Sequence, residues 1–231
     1  MDICLCHKDT FVYDLPVGVT ASTAQIGLPT IQFPDFKNNI SSALISRFGV
    51  FGVTRGDKAL QVHANTYRID ADVIPTFEFR KYYYQGSVLT FITGVCFYTD
   101  RGQFIINWPD QTYANGLEKH EKTQRRYRKV VRVLKGLRYE MEDNGSQTAK
   151  KISSFQISCL AHNISDFYYG ADELYDDVKL VAGQIWYNTS KSELCTDWSE
   201  VDQIKPMFPD DLKRQEVNAF FWELMKYASL V

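Results

Sequence analysis

Long apolar runs are missing from this 231-residue chain. None approaches the roughly 20 residues a membrane-spanning helix needs, and no signal-peptide pattern opens the sequence. Charge of one sign is not in excess: the net charge is −2, so the molecule as a whole is no general binder of nucleic acid. Cysteine is scarce. Cys4, Cys6, Cys96, Cys159 and Cys195 make an odd count of five, and their spacing matches no zinc motif. Free thiols are therefore expected, and with them a cytoplasmic location. Walker, Rossmann and Gly-x-Ser-x-Gly patterns are absent. His7, His63, His120 and His162 fall at no catalytic spacing. Internal repeats and low-complexity tracts are absent too.

What is present is an ordinary globular composition, 45% apolar and 23% charged, with 14% aromatics that suit a β-containing core. The first half reads as strands. Residues 3–13 form a strand and turn. A helix over 35–48 follows Pro34, with Phe36, Ile40, Ala43, Leu44 and Phe48 as its apolar stripe. Short strands are expected at 59–64 and 67–74, the second ended by Pro75. Further strands are expected at 77–84, 91–98 and 103–108, with a hairpin turn at Thr99-Asp-Arg-Gly. After Pro109 the pattern turns helical: 117–142, 149–165, 171–182 and 209–228. The fold class is α+β, with 1–110 as one region and 111–231 as a helical lobe.

Three segments carry chemistry. In 67–74, Tyr67, Ile69, Ala71 and Val73 face one way, while Arg68, Asp70 and Asp72 face the other. Carboxylates on a rigid strand can hold Mg²⁺, which takes hard oxygen ligands. Spacing alone favours a plainer reading, a solvated strand face with Arg68 partly pairing the acids. Asp2, just before an apolar strand, is by itself an acid near a terminus. The second segment is basic: Arg128, Arg132 and Lys135 recur at i, i+4 and i+7, a stripe that could hold a triphosphate. It could equally be a solvated helix face or a nucleic-acid surface. The third is Ser153-Ser154-Phe155 at a helix start, where a hydroxyl caps the helix or meets phosphate; capping is favoured.

Taken in order, several segments resemble the bacterial CD-NTase family, relatives of cyclic GMP-AMP synthase. They are Val53-Thr-Arg-Gly-Asp-Lys-Ala, Asn65-Thr-Tyr-Arg-Ile-Asp-Ala-Asp-Val-Ile-Pro75, Ile106-Asn-Trp-Pro-Asp-Gln, Asn115-Gly, Thr123, Arg132-Val-Leu-Lys135, Ser153-Ser-Phe-Gln-Ile-Ser-Cys-Leu160 and Trp198-Ser-Glu-Val-Asp-Gln-Ile-Lys205. Together they span nearly the whole chain. The resemblance implies a DNA polymerase β-like nucleotidyltransferase core with a mixed sheet and a helical C-terminal lobe. It implies nucleoside triphosphates as substrates, a cyclic di- or trinucleotide product for antiphage defence, and an effector protein that reads it. Mg²⁺, or Mn²⁺ in its place, is the implied cofactor. No membrane or nucleic-acid partner is expected.

By position, Asp72 resembles the family's third catalytic carboxylate and Asp2 the second acid of its paired-aspartate strand. Both are implied metal ligands. Arg132 and Lys135 resemble the helix cations that meet the donor triphosphate, Ser154 the hydroxyl near phosphate, and Phe155 a ring that stacks on a base. The family's Gly-Ser turn before its first aspartate has no counterpart here, and the first aspartate would fall just before Met1. Missing upstream sequence is therefore expected. Ser158 stands where relatives often carry an acid. Two competing readings accompany this one: an inactive nucleotide-binding fragment and an RNA-modifying nucleotidyltransferase.

Overall fold

A computed structural model describes residues 1–24, 26 and 31–230. The chain divides into two compact units, Met1–Pro109 and Asp110–Val231.

The first unit is built on a mixed sheet. Its described elements are β1 (Asp2–Asp14), α1 (Phe33–Phe48), β2 (Val53–Arg55), β3 (Leu60–Val62), β4 (Ala71–Gln85), β5 (Val88–Tyr98) and β6 (Phe104–Asn107). The antiparallel path runs β2-β3-β4-β5-β6, and β1 lies parallel to β4. Ile40, Leu44 and Phe48 of α1 pack on Val53, Leu60, Val62, Ala71 and Val73. That contact fixes which face of the sheet is dry and turns the alternate residues, Gln61 and Asp72, the other way.

Two expectations for this unit need correction. The strand does not start at Tyr67. Residues 65–68 form a turn in which the Asn65 side chain accepts from Tyr67 N at 2.9 Å. Tyr67 and Ile69 are 95% and 67% exposed, so neither faces the core. Alternation becomes structural only from Ala71, because the Asx hydrogen bond competes with strand pairing before it. Nor does Pro75 end the pairing, since β4 runs through it to Gln85. Asp72 N donates to the carbonyl of Met1, the residue before β1, so the backbone of alternate residues, Pro75 among them, points to the other edge. There β3 pairs with residues 71–73, and the pairing of β4 with β5 starts only at Phe77. Pro75 falls in the gap, where its missing N–H costs no ladder bond.

The second unit holds α2 (Pro109–Lys122), α3 (Tyr127–Asp143), α4 (Gln147–Lys150), α5 (Ser154–Asn163), α6 (Leu174–Asn188) and α7 (Asp211–Tyr227). Its core joins Val130, Leu134 and Met141 of α3 to Leu160, Val181, Ile185, Phe220 and Leu224 from the later helices.

The single helix expected over 117–142 is two. Gln124 and Arg125 take φ of 49° and 65°, which no helix interior accommodates. Thr123 makes the break stable: its hydroxyl accepts from Tyr127 N at 3.0 Å and donates to Lys119 O at 2.8 Å. The apolar stripe begins only at Tyr127, so burial gives the helix no reason to continue upstream as one rod. The helix expected over 149–165 is likewise divided, by the cap at Ser153.

Candidate active site

Asp2 is the first residue of β1 to pair with β4, and its partner is Asp72. Parallel strands lie about 4.8 Å apart and residues in register share a face. The two carboxylates are therefore neighbours. The ladder is anchored beside them, with Asp72 N donating to Met1 O at 2.8 Å and the Met1 amino group donating to Asp70 O at 3.0 Å. On the other side of Asp72 stands Gln61 of β3. A row Gln61, Asp72, Asp2 thus crosses three strands. Gln61 and Asp2 are exposed and Asp72 is half-buried, so the row is open to water. Gln61 was not singled out in the sequence; its signal is its place between buried Leu60 and Val62.

Asp70 and Arg68 do not share in this pair. The Asp70 carboxylate accepts from Ala64 N at 2.7 Å and so serves the 65–68 turn. Arg68 donates from Nε to His63 O at 2.6 Å and lies 4.7 Å over the Phe48 ring. Among the described residues no ion pair joins it to the acids, so the pairing expected of Arg68 is not made, while the strand face itself is solvated.

No group of three or more His, Cys, Asp or Glu side chains is placed to bind a metal among the described residues. Two adjacent, wet carboxylates nevertheless fit Mg²⁺, which is commonly held by one or two acids and fills its remaining positions with water and substrate phosphate.

A second constellation lies within the helical unit. Arg128, Arg132 and Lys135 of α3 line a cavity of about 710 Å³ together with Tyr113 of α2 and Phe155 and Ser158 of α5; Tyr127, Val131 and Val201 give it apolar walls. Burial pushes the Lys135 ammonium below its ordinary value. A cation kept partly out of water gains most from an anionic ligand. Phe155 is 43% exposed, available for contact with a planar group.

The two serines divide the labour. Ser153 is the N-cap of α5, accepting from Gln156 N at 3.1 Å, while its own N–H donates to the Gln156 side chain at 2.9 Å. Such a reciprocal box accounts for two backbone donors at the helix start. Ser154 is left free of capping and donates from Oγ to the Tyr139 hydroxyl at 2.8 Å. Tyr139 also lines the cavity, and sequence reasoning had passed it over. Arg132, Lys135 and Phe155 are thus brought together, with Ser154 joined through Tyr139. Asp2 and Asp72 form a separate pair in the other unit.

Residues 114–229 match the family model of the cGAS/DncV-like nucleotidyltransferase C-terminal helical domain. The chain is 36% identical, over 90% of its length and 70% of the relative's, to the cyclic dipyrimidine nucleotide synthase CdnE of Legionella pneumophila. The chain belongs to the CD-NTase family. A solved structure of the Elizabethkingia meningoseptica CdnE cyclic dinucleotide synthase with GTP and Apcpp resembles this CD-NTase at a TM-score of 0.75. The identity there is 30%, over 86% of this chain and 72% of that one. The Rhodothermus marinus CdnE c-UMP-AMP synthase shares the fold at a TM-score of 0.81, with 23% identity over 98% of this chain and 77% of that one. The mixed sheet and helical unit are the architecture of these nucleotidyltransferases. Among the described residues no helix is long and apolar enough to cross a membrane.

Proposed function

We propose that this CD-NTase joins nucleoside triphosphates into a cyclic dinucleotide, or a cyclic trinucleotide, and releases pyrophosphate. The observation that carries the reading is Asp2 in register with Asp72, in a chain whose relatives are cyclic nucleotide synthases. In each step a hydroxyl of one nucleotide attacks the α-phosphorus of another; a new P–O bond forms as the hydroxyl proton passes to water, the bond from the α-phosphorus to the bridging oxygen breaks, and pyrophosphate leaves. Arg132 and Lys135 bind the triphosphate by charge-assisted hydrogen bonds. Ser154 lies beside them through Tyr139, and Phe155 offers its ring to a base. Asp2 and Asp72 hold Mg²⁺, or Mn²⁺ in its place, which when bound supplies Lewis-acid polarisation of phosphate oxygens.

The relatives are named for dipyrimidine, dipurine and UMP-AMP products, so the assay must offer all four bases. The purified chain, labelled nucleoside triphosphates and Mg²⁺ or Mn²⁺ should give a phosphatase-resistant product and pyrophosphate. We place the reaction in the cytoplasm, in defence against phage, with an effector protein reading the product. A second reading, nucleotide binding without turnover, is favoured by the pair of carboxylates standing without a third among the described residues. Thermal stabilisation by a triphosphate with no product would select it and overturn the first. RNA binding with a steep salt dependence would instead point to RNA modification.

A further inference from the structure

Resting on the proposed function, we propose that Tyr139 is a triphosphate-binding residue, and that the hydroxyl presented to phosphate is the phenol of Tyr139, with Ser154 behind it. Tyr139 follows Arg132 and Lys135 on α3 at i+7 and i+4, so it continues their stripe. It lines the same cavity. Ser154 has one hydroxyl proton, and it is donated to the Tyr139 oxygen at 2.8 Å. The phenol proton is then left to donate elsewhere. A wall of guanidinium, ammonium and phenol groups presents donors, which complements phosphate oxygens that only accept.

The ring is held in place before any ligand arrives. The Arg138 guanidinium lies 4.3 Å over it. Arg138 is itself 8% exposed and fixed by hydrogen bonds to Ile152 O at 2.9 Å and to Glu142 at 2.5 Å. Tyr139 remains 52% exposed, so the anchored ring still reaches solvent. An aromatic that is fixed on one face and keeps a phenol proton available at its tip can recognise a ligand with little loss of rotamer freedom.

The test is titration of the wild type, Tyr139→Phe, Ser154→Ala and the double variant with a non-hydrolysable nucleoside triphosphate, and in parallel with inorganic tripolyphosphate and with the bare nucleoside. Tyr139→Phe keeps the ring under Arg138, and a thermal melt checks its fold. The expected result is an affinity loss of about tenfold for triphosphate and tripolyphosphate in Tyr139→Phe, the size of one hydrogen bond to a charged group. Nucleoside affinity stays unchanged. Ser154→Ala costs less, and costs nothing further when added to Tyr139→Phe. Unchanged tripolyphosphate binding in Tyr139→Phe overturns the inference while the wild type still binds. So does a larger loss in Ser154→Ala than in Tyr139→Phe. An equal loss for the bare nucleoside would make Tyr139 a base contact and overturn it as well. A wild type that binds none of the three overturns the functional reading itself.

Discussion

Asp2 and Asp72 stand side by side where β1 begins its parallel pairing with β4. Like charges in adjacent register destabilise a ladder by up to about 1 kcal/mol. Asp72→Asn is therefore expected to raise the thermal midpoint in EDTA, by a free energy of about 0.5 kcal/mol. Added Mg²⁺ should stabilise the wild type and leave the variant unmoved, because a ligand stabilises only the state that binds it. Differential scanning fluorimetry with and without the ion reads both effects. Equal Mg²⁺ shifts in the two proteins would remove the metal from this pair.

Gly94 of β5 predicts a packing limit. A Cβ there would lie 2.6 Å from Asn107 O and 2.6 Å from the ring of buried Trp108. Neither a ladder carbonyl nor a fully packed indole can retreat. Gly94→Ala should lose about 3 kcal/mol in urea unfolding, the upper end of overpacking costs.

Much of the fold was legible because burial obeys the periods of strand and helix. The strands after Phe77 are read from strand patterning, and Phe36, Ile40, Leu44 and Phe48 of the α1 stripe from the helical period, whereas Ala43 of that stripe is exposed. The failures at Tyr67, Gln124 and Ser153 share a cause: local polar groups decided the outcome. The Asn65 side chain took Tyr67 and Ile69 out of the strand. The gap between β3 and β5 made Pro75 harmless. The helix break at Gln124 carries no Gly or Pro to announce it. The acid pair was beyond spacing arguments, because only strand pairing brings Asp2 to Asp72; the family resemblance named both. Tyr139 belongs to no quoted motif, and its only sequence signal is its place four residues after Lys135.

The break between α2 and α3 depends on one hydroxyl. Thr123 is 2% exposed and caps Tyr127 N. Thr123→Val keeps the shape and removes the acceptor, leaving a buried donor unpaired. The expected loss is about 1–2 kcal/mol, and Thr123→Ser should recover most of it. A Val variant as stable as the wild type would mean the cap is dispensable.

Acid sensitivity should trace to Asp100. Its carboxylate accepts from Arg55 Nε and from Lys37 Nζ, each at 2.9 Å, and the Lys37 side chain is only 1% exposed. The hydrogen bonds from Arg55, then Lys37, bring its pKa down from 3.8 to about 2. A carboxyl lowered on folding adds stability above its unfolded value and loses it as pH falls through the folded one. Asp100→Asn should therefore be the less stable protein at neutral pH, with the gap closing between pH 4 and pH 2. Urea midpoints across that window measure it. A gap independent of pH would assign the effect to packing.

Turnover by matched proteins bears most directly on the acid pair. Pyrophosphate release from mixed nucleoside triphosphates with Mg²⁺ should be compared in the wild type and in Asp72→Asn, after triphosphate binding has been shown equal in both. The wild type should release pyrophosphate and form a cyclic product, and Asp72→Asn should fall by about 1,000-fold, the scale of several kcal/mol of lost charge stabilisation. Release at the wild-type rate by Asp72→Asn would contradict the assignment of Asp2 and Asp72 as the metal-holding acids of this nucleotidyltransferase.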